Sequence, residues 1–131
     1  MLLTMLKSKI HRAKITEANL NYVGSITIDE ILLIESGILE HEKVQVVDID
    51  NGNRFETYAI KGEKNSGVMC VNGAAARLVS EGDRIIVMCY CHLSPEEASE
   101  HHPQVLIMDE NNTICSITQS EKHGTCAHDY D

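Results

Sequence analysis

Tryptophan is absent from this 131-residue chain and phenylalanine occurs once. The core must therefore be filled by Ile, Val, Leu and Met. Positive charge is also scarce: 11 Lys and Arg stand against 20 Asp and Glu, a formal net charge of -9. That balance argues against a nucleic-acid binder, which carries a basic patch, and against docking on anionic membranes. A small acidic ligand remains compatible, because a few cations can be focused locally. No run approaches the roughly 20 apolar residues of a membrane helix. The opening "MLLTMLKSKIHR" has neither a long apolar stretch nor a small-residue cleavage site, so no signal peptide and a cytoplasmic location are expected. The five cysteines are odd in number and not spaced as a disulfide framework, which fits reduced thiols. The length predicts one domain with a modest core.

What is present reads mostly as β-strand. "LLTMLKSKIHRAKIT" predicts an extended strand and "SITI" a short one. "DEILLIESG" predicts a helix, with Asp29 as N-cap, Leu32 and Leu33 inward and Gly37 as the stop. "KVQVVDID" alternates with strand period. "NGNRFETYAIKG" then follows the hairpin signal Asn51-Gly52. "GVMCVNG" is a strand ending at Gly73, "AAARLVS" a short helix or turn, and "GDRIIVMCYCHL" a long apolar strand. "SPEEASEHH" has Ser94, Pro95 and Glu97 placed for a capping box. "QVLIMDE" and "TICSIT" make a last hairpin. "EKVQVV" (42–47) echoes "DRIIVM" (83–88), each after a short helical segment, which hints at a pseudo-two-fold arrangement. These elements predict a small β-barrel of six or more strands with short helices at its ends. The domain spans residues 1–118, and residues 119–131 form a flexible tail.

Several residues could carry chemistry. Lys9 and His11 share one strand face. Arg54, Thr57 and Tyr58 lie on the strand after the Asn-Gly turn, with Thr57 and Tyr58 on opposite faces if that strand is regular. "VNGAAAR" offers backbone N–H groups before a helix, a cradle for an anion or carboxylate. Each has a plainer reading: a solvated basic residue, a core tyrosine, a turn, and for Gly24-Ser25 an ordinary dipeptide between two strands.

Taken in order, "KIHRA" (9–13), "YVGS" (22–25), "NGNRFETYAI" (51–60) and "VNGAAAR" (71–77) closely resemble the pyruvoyl-dependent aspartate decarboxylases. The resemblance runs from about Met5 to Tyr90 at near-constant spacing. It implies a double-psi β-barrel and a homotetramer with active sites between subunits. It also implies self-cleavage between Gly24 and Ser25 into a 1–24 β-chain and a 25–131 α-chain. Ser25 would become a covalently bound pyruvoyl group. That ketone forms a Schiff base with L-aspartate and takes up electrons as CO2 leaves; the product, β-alanine, feeds pantothenate and coenzyme A synthesis.

The same resemblance implies residue roles. Tyr58 would deliver the proton. Lys9, Arg54, Thr57, Asn72, Gly73, Ala74 and Ala75 would bind substrate, with His11 and Tyr22 in support. Thr57 would also assist cleavage near the Gly24 carbonyl. Beyond Ser94 the resemblance fades. His101, His102, Cys115, His123, Cys126 and His128 lack regular ligand spacing, and no metal site is expected. The alternative reading is a non-catalytic β-barrel that binds a ligand or partner and stays uncleaved.

Overall fold

A computed structural model describes residues 1–124; residues 125–131, with Cys126, His128 and most of the expected tail, lie outside the described residues. The chain is mainly β. Nine strands run β1 (Leu3–Lys14), β2 (Glu17–Asn19), β3 (Ser25–Asp29), β4 (Lys43–Asp48), β5 (Arg54–Gly62), β6 (Met69–Asn72), β7 (Arg84–Leu93), β8 (Gln104–Met108) and β9 (Ile114–Thr118). Helices α1 (Glu30–Ser36) and α2 (Pro95–Glu100) and a 3-10 helix (Gly73–Leu78) separate them. No described helix is long and apolar enough to cross a membrane.

The pairing closes a ring. β3 is antiparallel to β6 and parallel to β5; β5 is antiparallel to β4, and β4 to β7. β7 is antiparallel to β1, and β2 is parallel to β6. β1 and β2 act as one bent strand. At their junction the Ile15 N–H donates to the Asp83 carbonyl at 2.9 Å and the Thr16 N–H to the Met69 carbonyl at 2.9 Å, so the chain passes from the β7 side to the β6 side. The six-stranded barrel leaves few edges to protect. β8 and β9 extend it beside residues 8–11 of β1.

The senses of pairing repeat by two-fold symmetry when β3, β4 and β5 are matched to β6, β7 and β1/β2. Val46 and Val87, equivalent in the sequence echo, pair with each other at the axis. The echo thus marks a real relation between two halves.

Cross-strand rows explain what faces where. Ile10, Val87, Val46 and Phe55 form one inward row. The core is aliphatic: Ile10, Ile26, Ile28, Leu32, Met69 and Ile85 are all fully buried. Each such side chain stabilises the fold by about 1.5–3 kcal/mol. The neighbouring rows, Lys9–Met88–Gln45–Glu56 and His11–Ile86–Val47–Arg54, face outward. Arg12, at φ 68°, forms a bulge between His11 and Ala13 that resets the pleat, so the inward set changes from Ile10 to Ala13 and Ile15.

Local signals account for the ends of the elements. Asp29 caps α1, accepting from the Ile31 N–H, and Gly37 ends it in the left-handed conformation at φ 78°. Ser94 and Glu97 form the full capping box on α2. The Asn51-Gly52 pair does not form a two-residue turn. It sits in a longer loop, in which the Asp48 carboxylate accepts from the N–H groups of Asp50 and Asn51.

Asp29 also reaches beyond its helix. Its carboxylate, 1% exposed, accepts from the Asn65 and Gly67 N–H groups at 2.8 Å each, tying the β5–β6 loop to α1. Asp29→Ala removes the cap and orphans both loop donors. A loss of about 2–4 kcal/mol is expected in urea unfolding at fixed protein concentration; a loss below about 1 kcal/mol would show that the clamp is dispensable.

Candidate active site

The Gly24–Ser25 bond lies in the crossing from β2 to β3. Ser25 is 4% exposed, whereas Leu20, Tyr22 and Val23 just before it are exposed. β3 places Ser25 opposite Asn72, the last residue of β6. The Asn72 amide Nδ2 donates to Ser25 Oγ at 3.0 Å and to Thr27 Oγ1 at 3.0 Å. Its Oδ1 accepts from Cys70 Sγ at 3.1 Å. Ser25 Oγ in turn donates to the Val23 carbonyl at 3.4 Å. The hydroxyl proton is thus directed back along the chain and one lone pair faces Asn72, which leaves the second lone pair for attack. Burial, with the Glu17 carboxylate adding to it, pushes the Cys70 thiol up to about 11, so it remains an S–H donor at neutral pH.

Gly73 follows Asn72 at φ +74°. A Cβ there would lie 2.6 Å from Gly24 Cα and 2.8 Å from Gly24 N. Only glycine meets both the backbone conformation and the close approach. Asn72 is the N-cap of the 3-10 helix but makes no side-chain capping bond, its amide being turned to Ser25 and Thr27. The first N–H groups of that helix, at Gly73, Ala74 and Ala75, are therefore not taken up by the cap.

β5 supplies the other wall. The parallel register of β3 with β5 begins at Ile26 opposite Ala59, and Thr57 and Tyr58 are the two β5 residues just before that pair. Thr57 pairs with the buried Val44 and faces inward; Tyr58 pairs with Lys43 and faces outward, its ring 6.3 Å from that of His41. Strand period places the two on opposite faces, as the sequence predicts. Arg54 shares the outer face with Tyr58 and is exposed.

Lys9 and His11 stand apart. Both lie on β1, paired with β7 on one side and β8 on the other, and β1 does not pair directly with β3, β5 or β6. Lys9 forms an ion pair with Glu121 at 2.8 Å. His11 is lowered from 6.5 to about 4, by burial first and then by the charges of Lys9 and Arg12. It is neutral at neutral pH, so Lys9 brings the positive charge of this face. One chain therefore gathers Gly24, Ser25, Thr27, Asn72 and Gly73, carries Thr57, Tyr58 and Arg54 on the neighbouring strand β5, and leaves Lys9 and His11 on β1. Tyr22 is exposed beside the bond. Of the later histidines, His101 donates from Nε2 to the Leu6 carbonyl at 2.7 Å, a packing role against β1.

The sequence reading missed Cys70 and Thr27. Both alternate in β-strands with site residues, Cys70 two before Asn72 and Thr27 two after Ser25, and that spacing is the signal by which they could have been found. Glu121 had no such signal.

The family model for aspartate decarboxylase matches residues 1–115. An aspartate 1-decarboxylase of Clostridium botulinum (strain Loch Maree) is 66% identical over 124 residues, covering 95% of this chain and 98% of that protein. One from Caldicellulosiruptor saccharolyticus is 61% identical over 126 residues, covering 96% and 98%. A remote likeness to the rationally designed mkDPBB_sym1 protein has TM-score 0.43 and 18% identity over 65% of this chain and 96% of that chain. The chain belongs to the aspartate decarboxylase family.

The contact between the two glycines has its own test. Gly73→Ala should force the 22–25 segment off β6. A loss of thermal stability is expected, read by melting. Wild-type melting would remove the close approach from the account.

Proposed function

We propose that the chain cleaves itself at Gly24–Ser25 and then decarboxylates L-aspartate to β-alanine and CO2, a step toward pantothenate and coenzyme A. The observation that carries this is the buried Ser25 hydroxyl, held by Asn72 beside a glycine carbonyl. Ser25 Oγ attacks the Gly24 carbonyl carbon; the O–C bond forms, the C–N bond breaks, and the nitrogen takes the proton. Glycine leaves that carbonyl open. Loss of the Ser25 α-proton then expels the Gly24 carboxylate, and hydrolysis of the resulting dehydroalanine releases ammonia and leaves a pyruvoyl group at the new N-terminus. Thr57, one strand over from Gly24, assists by hydrogen bonding near that carbonyl.

The residues fit such a group: Asn72 and Thr27 offer hydrogen-bonding atoms at the Ser25 position, and Gly73 leaves room beside it. When present, the pyruvoyl group supplies an electrophilic carbonyl and an electron sink for loss of CO2. The chain does the rest. Arg54 and Lys9 bind the two carboxylates of aspartate. N–H groups from Gly73 to Ala75 add donors. Tyr58 delivers a proton from its hydroxyl to the former α-carbon.

Lys9 is engaged with Glu121 on β1 and not with the residues around Ser25, which supports a site completed by a second copy, within a homotetramer. Exposed Leu20, Tyr22 and Val23 around the scissile bond give apolar area for such a contact. Neutral His11 supports Lys9 without adding charge.

Intact mass of aged protein should show two polypeptides, 1–24 and 25–131, the larger starting in a pyruvoyl group. Ser25→Ala should stay whole and inactive, and Tyr58→Phe should cleave but turn over about 100-fold slower or worse. A chain that stays uncleaved and releases no CO2 from aspartate would establish the non-catalytic barrel instead.

Sharing of the site is tested by complementation. Lys9→Ala and Ser25→Ala chains, each inactive alone, should regain part of the activity when co-expressed. Activity no greater than the sum of the two would place the whole site within one chain.

A further inference from the structure

Three aspartates meet away from this site. Asp48 ends β4, Asp50 lies in the loop that leads to Arg54, and Asp83 immediately precedes β7. Each bonds backbone through one oxygen. Asp48 Oδ1 accepts from the Asp50 N–H at 2.9 Å and the Asn51 N–H at 3.3 Å. Asp50 Oδ2 accepts from the Arg84 N–H at 2.9 Å, and Asp83 Oδ2 from the Ser80 N–H at 2.9 Å. Those bonds fix the carboxylates in orientation. One oxygen from each then lies within 4.8 Å of the other two. Asp48 is fully buried and its Oδ2 has no hydrogen-bond partner.

Nothing nearby neutralises them. Among the described residues none of the three is in an ion pair. The Arg84 guanidinium is turned away, donating to the carbonyls of Arg12 at 2.7 Å and Asp109 at 3.3 Å. Three carboxylates so placed repel one another, and the buried, partnerless oxygen of Asp48 carries the desolvation cost most fully.

We propose that Asp48, Asp50 and Asp83 bind a hard divalent cation such as Ca2+, Mg2+ or Mn2+. An all-oxygen, carboxylate-rich donor set suits such ions and not thiophilic ones. Three protein ligands leave the remaining coordination positions to water. The ion ties the β4–β5 loop to the start of β7, and so fixes the approach to Arg54. The competing explanation is a proton shared between Asp48 and Asp83, whose carboxylate oxygens lie within 4.8 Å of each other.

The test uses the full chain, stripped with EDTA. Calorimetric titration with CaCl2, and with MnCl2 as a second probe, should show one ion per chain at a Kd of about 0.1–1 mM. The melting temperature should rise in CaCl2 relative to NaCl of equal ionic strength. Asp50→Asn, at an exposed position, should fold and bind at least about tenfold more weakly, the loss of one charged ligand. Asp83→Asn should behave alike. Absence of binding heat and of any calcium-specific rise in melting temperature would overturn the proposal. So would a calcium response unchanged in Asp50→Asn. An Asp48→Asn chain that melts higher than wild type, with no calcium response in either, would establish the shared proton instead.

Discussion

The approach of Gly73 to Gly24 is the contact on which the rest of the site depends. At that point β6 turns into the 3-10 helix and the β2–β3 crossing passes over it, with no room for a single added carbon. The contact fixes the backbone of Gly24 against the end of β6. It thereby sets Ser25 opposite Asn72, and the amide of Asn72 gives up a capping bond to meet the serine and threonine hydroxyls. The polar chain from Cys70 through Asn72 to Ser25 is buried and satisfied throughout, which is how a buried polar group keeps one orientation. The Ser25 hydroxyl is thus positioned by strand pairing with Asn72.

The barrel divides its charges by face. Inward rows are aliphatic, and the cations stand on the outer rows, Arg54 near Tyr58 and Lys9 on the far side of the ring. On the proposed reading, a dianionic ligand held by both Arg54 and Lys9 would bring together the outer faces of two barrels. The bulge at Arg12 keeps Lys9 and His11 outward while the residues beyond it, Ala13 and Ile15, go to the core.

Local features of the fold were legible wherever a residue acts on its own backbone. Asp29, Gly37 and Ser94 marked helix ends because capping is a short-range event. The echo of 42–47 in 83–88 pointed to the two-fold, since equivalent strands need equivalent side chains. Asn51-Gly52 misled in detail. The Asp48 carboxylate captures the N–H groups after it and so favours a longer loop than two residues. At the site, the residues carried by spaced motifs were named, and strand period placed Thr57 and Tyr58 on opposite faces. Strand spacing marks Cys70 and Thr27, but not that Thr27 meets Asn72 or Glu121 meets Lys9. Those contacts arise from β3 meeting β6 and from a C-terminal segment reaching β1, across 45 residues or more.

β1 and β2 form a wall of the barrel: β1 is clasped by β7 and β8, and β2 lies against β6. Scission after Gly24 would leave that wall in place but no longer joined to the rest. The folded object would then be a complex of two polypeptides, and its unfolding a dissociation. Its stability would depend on concentration, as that of any heterodimer does. A fragment lost on dilution or heating would return only by a bimolecular encounter, so a chain of this design has to fold before it is cut.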